Sequence, residues 1–396
     1  MSWTSAASAP RRSDFPSITF WRLVFLVLMG VGTAATIIRF VWGLGAATNL
    51  SDEFPWGVWI GFDVLCGVGL AAGGFALTAA VYVFNLKQFA PIIRPTVLTA
   101  FLGYVFVVFA LLFDLGQPFR FWHSLVMWNP RSVMFEVSWC VTLYTTVLAL
   151  EFSPVFFERL NLERPQRIIH SIIAPLVILG VILSTLHQSS LGAVFLIVPD
   201  KLHPLWYSPL LPVFFFISAV AAGIAMVIVE SYLCQRAFGH QLEMRLLEPL
   251  GRAMIVALSV YGVLRLQDLA RRGVLRTLLH PDYEGYMFLL EIGLGVLLPI
   301  VLLAIPTVRS RQQGLVTGAY LAVLGFIMNR LNVSITGLER AAGTHYFPSW
   351  IEIAVSLALV AAGFAAFGLA VKHLPIFVNP WERNQQTEVP AWLVSR

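Results

Sequence analysis

Charge is what this sequence lacks. Asp, Glu, Lys and Arg make up 12% of its 396 residues, about half the share usual in a soluble domain. Hydrophobic residues make up 58%, and mean hydropathy is +0.79. So little polar surface cannot cover so much apolar surface in water. This excludes a string of soluble domains and implies one membrane-embedded unit over residues 1–396. Cysteine is scarce as well. Cys66, Cys140 and Cys234 lie far apart in apolar stretches, and no CxxC occurs. That pattern encodes no local iron–sulfur cluster or zinc site, and the three thiols read as small packing residues. Of the eight histidines only His170 and His187 share an apolar run, near its opposite ends. A b-type haem takes paired histidines from deep inside facing helices, so no bound haem and no metal site are expected. The formal charge of +5 reads as membrane topology and not as nucleic-acid binding.

Long apolar runs are what the chain has. A spanning helix needs about 20 apolar residues. Ten runs qualify, at 18–42, 56–84, 96–115, 132–152, 168–188, 209–234, 250–267, 285–306, 314–331 and 349–371. The expected fold is all-α, with ten transmembrane helices. The first run follows Arg11 and Arg12 but has no clear cleavage site, so it reads as a retained helix. The seventh, GRAMIVALSVYGVLRLQD, is the weakest, because Arg252 and Arg265 bound it closely. Lys and Arg in short loops favour both termini on the inner, cytoplasmic side. Inner loops then carry Lys87, Arg94, Arg159, Arg164, Arg167, Arg236, Arg245, Arg309 and Arg311. Outer loops carry Arg120, Arg131, Lys201, Arg330 and Arg340. The outer stretch LQDLARRGVLRTLLHPDYEG breaks the rule. It reads as a surface amphipathic helix or a patch for an acidic partner.

Polar motifs gather on the outer side. Asp63 lies in DEFPWGVWIGFDVLCGVG, about two turns into the second run. Asp114, His123, Trp128 and Glu136 lie in FDLGQPFRFWHSLVMWNPRSVMFE. His187 lies in STLHQSSLG, at the end of the fifth run. Asn332 lies in NRLNVSITGLE, after the ninth, and Glu352 enters the tenth. Ionisable groups in hydrocarbon are costly and face a bundle interior or cavity. Each has a plainer reading. Asp63 could cap or pair with an arginine, and Asp114 could serve turn chemistry. Glu136 could pair with Arg120 or Arg131. His187 could bond a backbone carbonyl, and the tryptophans belong largely to interfacial belts. Gly67, Gly69, Gly73 and Gly74 form a helix-packing face and not a nucleotide loop. Together the outer groups suit a quinone site. Such a site needs an apolar slot, a donor or acid at each carbonyl, and a route for protons. Asp63, Glu136 and His187 are the candidates for proton exchange. Asp114, His123, Trp128, His187 and Asn332 are the candidates for holding the quinone, and Glu291, Tyr261 and Ser231 could extend a path inward. A secondary transporter, with its site nearer the midplane, and a passive membrane anchor are the competing classes.

The stretches WGVWIGFD (56–63), DLGQPFRFWH (114–123), WNPRSVMFE (128–136), STLHQSSLG (184–192) and PSWIEIAVS (348–356) resemble the membrane subunits of the NrfD/polysulfide-reductase family. The likeness is to its ten-helix branch, which includes the integral membrane subunit of hydrogenase-2. Gln117 stands where the family's DLGRP form has arginine. The resemblance implies two pseudo-symmetric four-helix bundles, 56–188 and 209–331, flanked by helices 18–42 and 349–371. It implies a subunit of the bacterial inner membrane that holds no haem or iron–sulfur cluster and reacts with menaquinone or ubiquinone. It also implies partners: a periplasmic ferredoxin-like iron–sulfur subunit, catalytic oxidoreductase subunits and, in some relatives, a multihaem cytochrome.

Overall fold

The computed structural model describes residues 19–239 and 243–377. Arg11 and Arg12 lie outside the described residues. Within them the chain is all helix and loop, and ten helices are long and apolar enough to cross a membrane. Spans one to five are Phe20–Trp42, Trp59–Val83, Lys87–Asp114, Val133–Arg159 and Glu163–Ile197. Spans six to ten are Leu211–Phe238, Met244–Arg271, Tyr283–Ala304, Gln312–Ala342 and Trp350–His373. The face reached by the end of span one is called distal here, and the face from which span one starts is called proximal.

Small residues let the spans approach closely. Span two packs on spans three, five and six, and span six packs on five, seven and nine. Span eight packs between seven and nine, and span one lies along span ten. A Cβ added to Gly223 of span six would sit 2.4 Å from the amide nitrogen of Gly73 in span two. A Cβ on Gly74 would meet Ala100, and one on Gly69 would meet Phe326. The glycine run of span two is therefore the packing face expected of it. Spans eight and nine cross in the same way, with Gly295 against Gly325. Backbones that touch like this gain dispersion contacts that lipid cannot replace.

Several spans run past the ends that hydropathy suggests. Span five does not stop at His187: the helix continues to Val194 and closes with a 3-10 turn at Phe195–Ile197. Polar residues there do not break it, because they satisfy themselves on the helix. Ser190 Oγ donates to the Leu186 carbonyl at 2.8 Å, and Thr185 Oγ1 to Val181 at 2.7 Å. His187 thus lies ten residues from the distal end, about 15 Å by helical rise. Likewise NRLNVSITGLE is not a loop after span nine but part of it. Arg330 is 1% exposed, lying over the rings of Phe215 and Phe326 at 3.7 and 4.4 Å, and it is no loop residue. Arg265 is buried inside span seven, so it does not bound that span; it donates to the carbonyls of Leu205 and Trp206. The basic stretch after span seven forms no amphipathic helix. It holds a 3-10 turn, Val274–Leu279, with no buried residue.

Candidate functional site

Three buried polar groupings lie inside this scaffold. The first opens a cavity. Asp63 sits on a π-helical turn, Trp59–Val64, that starts span two. The turn gives the helix one residue more than α geometry would, a feature frequent at functional sites. Ser356 Oγ of span ten donates to Asp63 Oδ2 at 2.5 Å, so its partner is a hydroxyl and not an arginine. Asp63 lines a cavity of about 370 Å³ between spans two, three, six and ten. Apart from Asp63, Thr99, Glu230 and two cysteines the cavity wall is apolar, and Val360 and Phe364 of span ten, both exposed, belong to it.

The second grouping joins spans three, four and five. The hydroxyl of Tyr104 shares a 2.9 Å hydrogen bond with His187 Nδ1, and both residues are fully buried. His187 Nε2 and Gln188 Oε1 are buried with no hydrogen-bond partner, and Ser184 lies beside the hydroxyls of Tyr104 and Tyr144. Gln188 Nε2 donates to the Val68 carbonyl. Toward the distal face Ser190 Oγ donates to Glu136 Oε1 at 2.5 Å. Glu136 is exposed, and its hydrogen bond is to this serine.

The third grouping lies among spans six to nine. Glu291 of span eight accepts from Asn329 Nδ2 (2.7 Å), Asn332 Nδ2 (2.9 Å) and Trp206 Nε1 (2.9 Å). Arg330 donates to Asn329 Oδ1 and Ser218 Oγ. Asn329 Nδ2 also reaches the Tyr261 hydroxyl at 3.4 Å. Asn332 and Gly293–Leu297 each open or form a further π turn, Asn332–Thr336 in the first case. Trp206 comes from the distal loop between spans five and six, which folds into the bundle. Arg272 holds it through the Pro204 carbonyl, and Ser208 through its bond to Asp268. On the same loop His203 has its pKa lowered, chiefly by burial; Glu284 and Asp282 oppose this, and Arg340 adds to it.

The sequence candidates therefore fall in different places. Asp63, Glu136 and His187 each bond a different hydroxyl, on Ser356, Ser190 and Tyr104. Asn332 belongs to the Glu291 grouping. Asp114 ends span three beside Arg39, whose guanidinium donates to the carbonyls of Phe113 and Leu115; Asp114 Oδ1 is buried without a partner. His123 and Trp128 lie on the distal loop, where Trp128 is 65% exposed and packs on Trp139. Glu352 is fully used. It completes a capping box with Ser349, and it also accepts from the Asn49 amide and the Tyr346 hydroxyl. Burial, and then this bond to Glu352, raise the Tyr346 pKa. Sequence reasoning missed Tyr104, Ser356, Trp206 and Glu230. Only Glu230 carried a signal that stands out in a list of residues, as a carboxylate late in an apolar span.

A helical bundle that crosses the membrane many times and keeps carboxyl, imidazole and amide groups in its interior is an integral membrane protein built around internal polar sites. Its family is settled by comparison: residues 46–342 match the model of polysulphide reductase, NrfD, and the chain belongs to that family. It is 41% identical over 361 residues to a protein of Nitratidesulfovibrio vulgaris, covering 88% of this chain and 92% of the relative. It is 36% identical over 382 residues to the probable Ni/Fe-hydrogenase 2 b-type cytochrome subunit of Escherichia coli, covering 93% and 95%. It is 28% identical over 407 residues to the menaquinone reductase integral membrane subunit of Nitratidesulfovibrio vulgaris, covering 95% and 96%. The name of the second relative raises the matter of haem. Among the described residues His187 is the one histidine both buried and within a span, so they supply no second buried histidine on a facing helix. A haem held by two histidines on facing helices does not fit these residues. Among the described residues, no group of three or more His, Cys, Asp or Glu is placed to hold a metal ion.

Proposed function

We propose that the chain is the quinone-reactive membrane subunit of a respiratory oxidoreductase complex in the bacterial inner membrane. It exchanges electrons between an iron–sulfur subunit docked on the distal, periplasmic face and the menaquinone or ubiquinone pool. It is not catalytically complete alone, and both termini lie in the cytoplasm. Spans two to five and six to nine are its two pseudo-symmetric bundles. The observation that carries this reading is the cavity at Asp63. Its volume of about 370 Å³ falls within the ~300–1,000 Å³ of small-molecule sites. Its wall is mostly apolar and includes the exposed Val360 and Phe364, so a ring with an isoprenoid tail can enter from the membrane. At its distal end Asp63 offers a carboxyl to a quinone carbonyl, held in aim by Ser356. Proton transfer at that oxygen needs a group within hydrogen-bond reach, and Asp63 supplies it. His187 and Glu136 are proposed to exchange protons with the distal phase along spans four and five.

The test uses the intact complex purified in mild detergent. Turnover is followed with a quinol or quinone analogue and the electron source of the partner subunits. Quinone-dependent turnover that collapses in Asp63→Asn supports the reading. An intact complex without quinone-dependent turnover overturns it. Saturable uptake of a solute by liposomes holding this chain alone would favour a transporter instead.

A further inference from the structure

The cavity has a second polar end. Glu230, on span six, lines it together with Thr99 of span three. Glu230 is 7% exposed. Thr99 lies beside its carboxyl on the cavity wall, and Oε1 has no hydrogen-bond partner. A buried carboxyl with a free oxygen is costly, and in a membrane interior such a group ordinarily marks a binding site or pathway. Glu230 is also far from Asp63 along the membrane normal. The cavity follows span two from Phe62 to Ala71, about 13 Å of helix. Asp63 sits at the distal end of that stretch, while Glu230 is eight residues from the proximal end of span six. The two carbonyls of a quinone lie across one ring and cannot touch both carboxyls at once. With the head group at Asp63, Glu230 would face the hydrocarbon tail, the neighbour that least satisfies it.

We propose that Glu230 and Thr99 form a second head-group station for the same quinone, nearer the membrane midplane than Asp63. This rests on the quinone reading above and deepens it. A quinone entering past Phe364 engages Glu230, its carbonyl accepting a hydrogen bond from the carboxyl in its acid form, while a quinol hydroxyl would donate to Oε1. It then moves along the slot to Asp63, where the electron donor is in reach. The free Oε1 is the atom that the incoming carbonyl or hydroxyl engages.

The two stations lie on different stretches of chain, Phe62–Ala71 of span two and Met226–Phe238 of span six, so a photoreactive quinone reports their occupancy without any turnover. The intact complex is irradiated with 2-azido-3-methyl-1,4-naphthoquinone, which has no tail and inserts into neighbouring side chains on loss of dinitrogen. Increasing concentrations of 2,3-dimethyl-1,4-naphthoquinone compete with it, and the labelled residues are mapped by mass spectrometry. Two stations predict labels on both stretches, displaced with separate midpoints. Glu230→Leu should abolish the span-six label and leave that on span two. Asp63→Asn should weaken the span-two label alone. Glu230→Gln, which keeps a hydrogen-bonding group of the same size, should retain the span-six label in part and covers the case where the leucine variant does not assemble. In turnover with a tailed quinol, Glu230→Gln should raise KM about fivefold, the value of one hydrogen bond of ~1 kcal/mol, and lower kcat by less. A span-six label unchanged in both Glu230 variants overturns the second station while leaving the first. Displaceable label on neither stretch of the unaltered complex overturns the quinone reading of the cavity as a whole.

Discussion

Tyr104 and His187, 83 positions apart in the chain, meet at 2.9 Å with both side chains fully buried. The bond fixes the imidazole through Nδ1 and leaves Nε2 buried with no hydrogen-bond partner. Tyr104→Phe removes that anchor and leaves a buried nitrogen unpaired, a cost of ~1–3 kcal/mol. His187→Gln keeps polarity but removes the imidazole and its unpartnered Nε2. Complex yield and quinone-linked turnover, measured separately, distinguish the roles. A turnover loss of about ten- to a hundredfold with normal yield is expected for His187→Gln. Normal turnover would reduce His187 to a packing residue.

Backbone contact between Gly73 and Gly223 leaves no room for a side chain. Gly223→Val should prevent spans two and six from closing and abolish assembly, seen as loss of a monodisperse peak in detergent gel filtration. Gly30→Ala is the control, since a Cβ there meets nothing within 4 Å. Its stability should hold or rise by about 0.4–1 kcal/mol, since alanine is favoured over glycine at an open helical position.

Trp206 ties the distal loop to Glu291. Trp206→Phe keeps an aromatic ring but removes the pyrrole half of the indole with its N–H, so one bond to Glu291 is lost. The expected cost is ~1–3 kcal/mol, with faster amide hydrogen exchange at 202–208. Unchanged exchange would show that Arg265, Arg272 and Ser208 hold the loop without it.

The His203 pKa is depressed, mainly by burial, so the folded loop favours the neutral ring. The unfolded chain binds a proton more readily, near pH 6.5. The stabilisation is therefore complete above that value and is lost as pH falls through it toward the folded pKa. Thermal unfolding of the detergent-solubilised protein should show a Tm that drops on acidification from pH 7.5 to 5.5. His203→Gln should flatten that dependence, and an equal slope in both proteins would assign it to other groups.

Apolar runs made the ten spans legible, because the hydrocarbon thickness fixes a length that composition alone reveals. Their ends were not legible. Serines and asparagines that bond their own helix, as Ser190 does to Leu186, look like loop residues in one dimension. The same error placed Arg330 in a loop, although two aromatic rings and Asn329 shelter it inside span nine. At the site, Asp63 and His187 stood out because ionisable groups are rare in apolar runs. Their partners, Ser356 and Tyr104, are ordinary residues made significant by contacts 293 and 83 positions away. Glu352 shows the reverse. Ser349-x-x-Glu352 carries the spacing of a capping box, and its carboxylate is spent on that duty.

The π turn at Trp59–Val64 fixes where Asp63 aims by the number of residues it contains. Each residue of a helix turns the chain by about 100°, so a helix with one residue fewer there would present a different side of everything upstream. Shortening the turn by a single residue, with no side chain exchanged near the cavity, would leave the glycine face of span two seated on span six. It would wheel the Trp56–Trp59 segment out of its fit against Phe195 and Phe113. Chain length at this one turn thus acts as the indexing pin of the distal rim, and relatives that gained or lost a residue there would be expected to have rebuilt the loops above it.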